Sequence, residues 1–157
     1  DDQGSKFDAK GNYVSWWTDQ DRKLFEERTA KLVKQYNGYV AIDDLHVNGE
    51  LTLGENIGDF GGLLVAFDAF HMTEQAKKGE KIDGLTPDQR FFLSWAQSWR
   101  RTYRPEALKL QVNTDPHSPS NFRVIGPISN MDSFAKAFSC NAGDKMVNSG
   151  DAKVAIW

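Results

Sequence analysis

The sequence predicts a mainly α-helical protein with short extended segments between some of its helices. Two observations support this fold class. Helix-start signals precede apolar residues at helical spacing, and loops rich in glycine, proline and asparagine separate the helical stretches. The 157 residues are enough for one domain with a hydrophobic core and too few for two. Apolar residues make up 39% of the chain and charged residues 26%, which is typical of globular proteins.

The first helix is predicted to follow an N-terminal loop over residues 1–14. Thr18 is a suitable N-cap residue, and Asp21 three positions on forms a weak capping box with it. Apolar residues then recur at helical spacing until the pair Asn37-Gly38, which is typical of a helix end.

The middle of the chain is predicted to contain a hairpin and two more helices. The pair Asn48-Gly49 indicates a tight turn between two short extended segments, LHV and ELTL. One long helix is predicted over residues 54–78. Another begins at Thr86, because this N-cap residue is followed by Pro87 at the first helical position.

The last third alternates between helix, loop and extended chain. A short helix is predicted over residues 105–112, and the stretch 113–121, with two prolines and several turn formers, is predicted to be a loop. The segment FRVIG at 122–126 is predicted to be extended, and a last short helix is predicted over 129–140. The tail is predicted to be irregular.

Charge and cysteine content exclude several classes of protein. The net charge is −3 and the Lys and Arg residues are scattered among acids, which argues against a nucleic-acid-binding protein. No apolar run is long enough to span a bilayer. The single cysteine, Cys140, cannot form an internal disulfide, so it is either a half-buried thiol or the partner of a cysteine elsewhere in a longer chain.

Two carboxylates, Glu55 and Asp59, lie four residues apart at the start of the helix predicted over 54–78. This spacing places both on one helix face. One interpretation is structural: an acid favoured by the helix dipole, followed by a solvated aspartate. The other is that Glu55 binds a metal and Asp59 orients a further ligand. The flanking Leu, Ile, Phe and Gly residues do not resemble those of a solvated face.

Of the three histidines, His117 is the one in an unusual context. It lies in the loop TDPHSP, between two prolines and two residues after Asp115, where it could be a surface residue or a hydrogen-bond donor. Arg123 follows, either as a surface charge or as a fork for a carbonyl or carboxylate group. His46 and His71 are interpreted as surface or core residues because they show no metal-ligand spacing.

Long motifs of the chain resemble one family of enzymes. The stretch VNGELTLGENIGDFGGL resembles the signature NGxLTLGENIADxGGL of the neprilysin and endothelin-converting-enzyme family of zinc metallopeptidases. VNTDPHSPSNFRVIGPISNMDSFAKAFSC resembles the C-terminal signature of that family, and DDQGSKFDAKGNYVSWWT resembles the segment after its zinc-binding helix. The resemblance runs in order along the chain to Trp157 and is to the family, not to one member.

The resemblance implies a role for each of five residues. Glu55 corresponds to the third zinc ligand, and Asp59 to the aspartate that supports a zinc-binding histidine. His117 corresponds to a donor to the tetrahedral oxyanion, with Asp115 as the residue that orients it. Arg123 corresponds to the arginine that holds the peptide backbone of the substrate. These roles suit a zinc ion that polarises a peptide carbonyl and activates water.

The resemblance also implies that residues 1–157 are the C-terminal helical portion of a zincin-type catalytic domain. In the family the HExxH motif lies just upstream of a GFDDQG-like segment, and this sequence contains no HExxH. The expectation is therefore that two zinc ligands, the general base and an N-terminal lobe lie outside it. One zinc ion and a peptide substrate are expected in the parent enzyme. The isolated chain is expected to be inactive, to bind zinc weakly or not at all, and to self-associate.

Two residues depart from the family pattern. Gly58 replaces the usual alanine of ENxAD, which loosens the helix by up to about 1 kcal/mol without changing the chemistry. Val154 stands where many animal members have cysteine, which favours a bacterial member and leaves Cys140 unpaired. The family suggests an extracytoplasmic parent, with the bacterial cytoplasm as the alternative.

A non-catalytic module that kept the fold and binds a peptide or a partner chain is the competing functional hypothesis.

Overall fold

The computed structural model describes residues 3–156 and confirms a mainly α-helical fold. Asp1, Asp2 and Trp157 lie outside the described residues. Within them the chain forms seven α-helices, a two-stranded antiparallel sheet and two 3-10 turns at Gly4–Lys6 and Gly150–Ala152. In chain order the elements are α1 (Asp19–Asn37), β1 (Val40–Ile42), β2 (Leu45–His46), α2 (Leu53–His71), α3 (Glu74–Lys78), α4 (Pro87–Ser98), α5 (Pro105–Thr114), α6 (Ser120–Ile128) and α7 (Asp132–Ala137).

Helices α1 and α4 begin where the capping signals predicted. The Thr18 side chain accepts from the backbone N–H of Asp21 at 3.1 Å, and the capping box is complete. Thr86 and Gln89 exchange the same pair of hydrogen bonds, at 3.0 and 3.2 Å. These local contacts satisfy backbone donors that have no partner in the first helical turn, which is why the sequence alone located both starts.

The predicted hairpin exists, but its turn was placed wrongly. β1 pairs with β2 through a turn that contains Asp43, whose φ is 50°. LHV therefore contributes to the second strand, and ELTL is not a strand. The reason is the Asn48 side chain, whose oxygen accepts from the backbone N–H groups of Glu50 and Leu51 at 3.1 and 3.0 Å. These bonds turn the chain directly into α2.

The helix predicted over 54–78 is interrupted and forms α2 and α3. The Thr73 hydroxyl donates to the carbonyl of Phe70 at 2.7 Å and accepts from the N–H of Ala76 at 3.3 Å. Thr73 is thus the N-cap of α3. A threonine among helix-forming residues gave little warning of this break, because the same residue is tolerated within a helix.

The prediction of an extended segment at 122–126 was wrong, since these residues belong to α6. Aromatic and β-branched residues suggested a strand, but burial decided the outcome: Phe122, Gly126 and Ile128 are all buried on this helix. The 113–121 loop is correspondingly short, because α5 continues to Thr114 and α6 begins at Ser120. Tertiary packing here overrides the weak preference of individual residues for strand.

The core lies where α6 packs on α2, and α1 packs against both of these helices. Tyr36 of α1 is fully buried there, and its hydroxyl donates to the carbonyl of Phe122 at 3.3 Å. Helix α4 packs on α6 and reaches α2 through the ring of Phe67, which contacts Phe91 and Phe92. The buried cluster consists of Leu32, Tyr36, Val47, Ile57, Phe60, Leu63, Phe92, Phe122, Ile128, Met131, Phe134, Val154 and Ile156. Within residues 3–156, no helix combines the length and apolar character needed to cross a bilayer.

Replacing Gly126 by alanine is expected to destabilise the fold by about 1–3 kcal/mol. A Cβ at this position would collide with the ring and hydroxyl of buried Tyr36. Gly62→Ala is the matched control, because its Cβ would meet nothing within 4 Å. That change should leave stability equal or raise it by up to about 1 kcal/mol. Urea unfolding of the 157-residue chain measures both, and equal effects of the two substitutions would contradict the packing argument.

Candidate functional site

Helix α2 presents Glu55 and Asp59 on the same face, as the spacing predicted, but in different surroundings. The Glu55 side chain is 42% exposed, whereas that of Asp59 is 7% exposed. Glu55 lies in the first turn, where the helix dipole favours a negative charge. The interpretation of Asp59 as a solvated carboxylate is therefore excluded, and its burial requires a charged partner.

That partner is Arg123 of α6. Its Nε donates to Asp59 Oδ2 and its Nη2 to Asp59 Oδ1, both at 2.6 Å. This two-pronged arrangement is the strong, charge-assisted form of an arginine–carboxylate contact. The guanidinium carbon also lies 4.0 Å from the ring centroid of Trp99. Arg123 is thus held from two sides and is not a surface charge.

Burial and pairing act in opposite directions on this ion pair. Burial raises the pKa of Asp59, while the hydrogen bonds from Arg123 lower it, and the net result is a pKa above its ordinary value. Burial alone would lower the pKa of Arg123, but the hydrogen bonds to Asp59 outweigh it and raise that pKa. Losing either partner would leave an uncompensated buried charge, which is strongly destabilising.

The loop between α5 and α6 places His117 against Glu55. Its Nε2 lies 3.1 Å from Glu55 Oε2, and its Nδ1 lies 2.6 Å from Asp115 Oδ1. The backbone N–H of His117 donates to the same Asp115 oxygen at 2.9 Å. That backbone bond, with the ring contact, lowers the pKa of Asp115, so this carboxylate accepts and Nδ1 carries the hydrogen between them.

Two buried polar residues that the sequence analysis missed hold this loop in place. The Ser118 hydroxyl donates to Asn56 Oδ1 at 2.9 Å, and Asn56 Nδ2 donates to the Thr52 hydroxyl at 2.9 Å. Asn56 is adjacent to Glu55, so the contact ties the histidine loop to the first turn of α2. An asparagine in the first turn of a mostly apolar helix was the available signal, since a buried amide needs partners.

All five predicted site residues therefore meet in one connected group. Along it, Asp115 contacts His117, His117 contacts Glu55, and the Arg123 Nη2 lies 3.4 Å from Glu55 Oε2 before pairing with Asp59. A cavity of about 160 Å³ opens beside His117, Arg123 and Trp99. Trp99 was not predicted as a site residue. The structure brings the residues together, and their individual roles stay predictions.

The other two histidines lie outside this group. Nδ1 of His46 is 2.8 Å from the carbonyl oxygen of Asn37. Nε2 of His71 is 2.9 Å from Oδ1 of Asp88. Cys140 is a partly buried free thiol, with no disulfide partner among residues 3–156.

The residues of this group can supply one ligand of a zinc site but not a complete set of ligands. Among residues 3–156, no group of three or more His, Cys, Asp or Glu side chains is arranged to hold a metal ion. Catalytic zinc takes three protein ligands, among which a carboxylate is common. Glu55 meets the requirement for such a ligand because its carboxylate is half exposed at the head of a rigid helix.

Comparisons with known proteins point to one family along the whole chain. The sequence model of Peptidase family M13 matches residues 1–154. The endothelin-converting enzyme homolog of Locusta migratoria is 47% identical over 149 residues, which cover 93% of this chain and 20% of that protein. Neprilysin-3 of Drosophila melanogaster is 41% identical over 161 residues, covering 100% of this chain and 20% of the relative.

Solved structures agree with the sequence relatives. The Mycobacterium tuberculosis zinc metalloprotease ZMP1 in complex with an inhibitor superposes with a TM-score of 0.87 at 42% identity, covering 100% of this chain and 25% of that one. PEPO from Lactobacillus rhamnosis HN001 gives a TM-score of 0.82 at 30% identity, covering 98% of this chain and 23% of the other. The chain spans about a fifth of the length of these curated relatives. It belongs to Peptidase family M13, the family of zinc metallopeptidases that its motifs resemble.

Proposed function

We propose that this chain forms part of the active site of a zinc-dependent metalloendopeptidase, supplying one metal ligand and the residues that hold the substrate. The observation that supports this most is the connected group of Asp115, His117, Glu55, Arg123 and Asp59, drawn from two helices and a loop. Charged side chains lose solvation energy when they are gathered at a half-buried surface. A purely structural module does not require such a cluster, whereas an active site does. Membership of the family supports peptides as the substrate class.

Glu55 is the proposed zinc ligand. Zinc bound there would polarise the scissile carbonyl and activate a water molecule. The two remaining protein ligands are proposed to be the histidines of an HExxH motif outside these 157 residues, since the sequence contains none. Asp59 has both oxygens on Arg123, and each oxygen keeps a further lone pair with which to orient one of those histidines.

His117 is the proposed donor to the oxyanion that forms as the peptide bond is attacked. Asp115 accepts from Nδ1 and from the backbone N–H of His117, which fixes the ring and leaves Nε2 directed toward Glu55. Because Nδ1 already carries a hydrogen, Nε2 donates when the ring holds a hydrogen on both nitrogens. A donor that is already oriented needs no reorganisation as charge develops, and this is the source of its effect on rate.

Arg123 is proposed to hold the substrate backbone. Its Nε and Nη2 are engaged with Asp59, and its Nη1 hydrogens make no hydrogen bond among residues 3–156. These hydrogens could donate to a peptide carbonyl at the cavity beside Trp99. The contact with Asp59 then has a second effect, because it fixes the guanidinium plane before a substrate arrives.

Substitutions of Glu55 and His117 in the complete peptidase should separate metal binding from catalysis. Glu55→Ala should lose zinc and nearly all activity, because it removes a ligand. His117→Ala should keep zinc, lower kcat by about 10²–10³-fold and change KM little, as the loss of one oxyanion donor does. Steady-state kinetics with metal analysis measure both. Loss of zinc in His117→Ala together with retained zinc and activity in Glu55→Ala would reverse the assigned roles.

A third variant, Arg123→Lys, belongs in the same assay. Lysine keeps the positive charge but lacks the planar set of N–H donors of the guanidinium group. KM should therefore rise while zinc content is unchanged. Thermal unfolding of each variant provides the control, because a weakened contact with buried Asp59 also lowers stability. A lysine variant with wild-type KM would show that Arg123 does not contact substrate.

The 157-residue chain by itself should neither bind zinc tightly nor hydrolyse peptides. Among residues 3–156 no three His, Cys, Asp or Glu side chains are arranged to hold a metal ion, whereas catalytic zinc takes three protein ligands. Calorimetric titration with zinc should reveal no one-to-one site of micromolar affinity or better. A tight site that disappears in Glu55→Ala would overturn this expectation, and a tight site that survives it would place zinc elsewhere.

Asp115→Asn should lower stability at neutral pH and not at acidic pH. The hydrogen bonds from His117 hold the pKa of Asp115 below its ordinary value of 3.8. A carboxyl with a depressed folded-state pKa contributes stability above its unfolded pKa and loses that contribution as pH falls through the folded value. The side chain is 43% exposed, so the effect at pH 7 is at most about 1 kcal/mol after solvent screening.

Urea unfolding at pH 7 and at pH 3 or below measures the difference between Asp115→Asn and the unmodified chain. This difference in the free energy of unfolding should become smaller as the pH falls. Asp68→Asn is the control, because Asp68 is an exposed carboxylate on α2 without a hydrogen bond or ion pair among the described residues. A gap for Asp115→Asn that is constant with pH would contradict the role of its charge.

A further inference from the structure

A second cavity lies between α1 and the C-terminal segment of the chain. Its volume is about 640 Å³. Lys31, Lys34 and Gln35 of α1 form one wall, Tyr39 lies at the end of that wall, and Lys145 and Asn148 of the C-terminal segment lie across from it. Cavities of 300–1,000 Å³ hold small organic molecules. None of the residues proposed for the peptidase site lines this cavity.

The cavity concentrates positive charge in a chain whose net charge is −3. None of Lys31, Lys34 and Lys145 makes an ion pair or a side-chain hydrogen bond within residues 3–156. Asp151 also lines the cavity, so the lining carries three positive charges and one negative, a balance of +2. Three unpaired ammonium groups around one concave surface, with a balance of +2, attract an anion with more than one charge.

Partly buried hydrogen bonds between polar side chains join the two walls of the cavity. Gln35 Nε2 donates to the Tyr39 hydroxyl at 2.8 Å and to the carbonyl of Gly126 at 2.9 Å. Asn130 Nδ2 donates to Gln35 Oε1 at 2.8 Å, and Asn148 Nδ2 donates to Asn130 Oδ1 at 3.0 Å. Both walls are therefore tied to the same buried asparagine. Such a network positions the walls before any ligand binds.

Tyr39 supplies a directed donor as well as a wall. Its ring stacks on Phe122 with centroids 4.7 Å apart and planes 5° from parallel, so the side chain has little freedom. The hydroxyl accepts from Gln35 and keeps its own hydrogen to donate. Burial raises the pKa of Tyr39, so the hydroxyl is protonated at neutral pH.

We propose that this cavity binds a small phosphate-bearing anion with several negative charges, such as an organic polyphosphate. Lysine binds phosphate as a point charge, whereas planar carboxylate recognition favours the arginine fork, and no arginine lines this cavity. Three separate ammonium groups match an anion with several phosphate groups better than an anion with a single phosphate group. The Tyr39 hydroxyl and the second Nδ2 hydrogen of Asn148 can donate to phosphate oxygens. This inference is independent of the proposed peptidase function.

Inorganic tripolyphosphate is a suitable probe, titrated calorimetrically into the complete protein that carries this chain. One variant combines Lys31→Gln, Lys34→Gln and Lys145→Gln. The matched control combines Lys10→Gln, Lys78→Gln and Lys81→Gln, which changes the net charge equally at lysines outside the cavity lining. The cavity variant should bind at least tenfold more weakly than the unmodified protein, and the control should stay within twofold of it.

Tyr39→Phe removes the hydroxyl donor without changing charge, and it should weaken binding severalfold while leaving the stacked ring in place. Circular dichroism and thermal unfolding verify that each variant is folded. Equal losses in the two triple variants would show that net charge, not the cavity, attracts the anion, and this would overturn the proposal. Absence of tripolyphosphate binding to the unmodified protein would overturn it as well.

Discussion

The ion pair between Arg123 and Asp59 is the constraint on which the site depends. It joins α6 to α2 through two hydrogen bonds of 2.6 Å between side chains that are 13% and 7% exposed. The two side chains of such a buried pair cannot move far apart, because each charge would then be buried without a charged partner or water to solvate it. It therefore fixes how α6 lies on α2. Every other residue of the group is positioned relative to these two helices.

The close packing of the same helices explains why the pair can form. Gly126 of α6 leaves room for the ring of Tyr36, and the Tyr36 hydroxyl donates back to the carbonyl of Phe122 on α6. Three helices thus share one interior. The histidine loop follows directly from this arrangement, because it is the five-residue connection that enters α6, and Ser118 secures it to Asn56 of α2.

The predictions from sequence succeeded where the relevant contacts are local. The capping boxes at Thr18 and Thr86 involve residues three positions apart, so the sequence contained both partners. They failed where the partner was distant or the local preference weak. The FRVIG segment became helix because its apolar face is buried against α2, and the supposed turn at Asn48-Gly49 became the entry to α2. The expected extracytoplasmic setting and bacterial origin stay predictions.

The sequence by itself determined the mainly helical class and the family, because long motifs and helix caps are properties of adjacent residues. It also predicted the five site residues, whose roles stay predictions. Only the tertiary structure decided that Asp59 is buried and paired with Arg123, and that Trp99 and Asn56 support the group. The same holds for the lysine-lined cavity, whose walls are more than 100 residues apart in the chain. Contacts across such separations depend on how helices pack, and no local pattern records them.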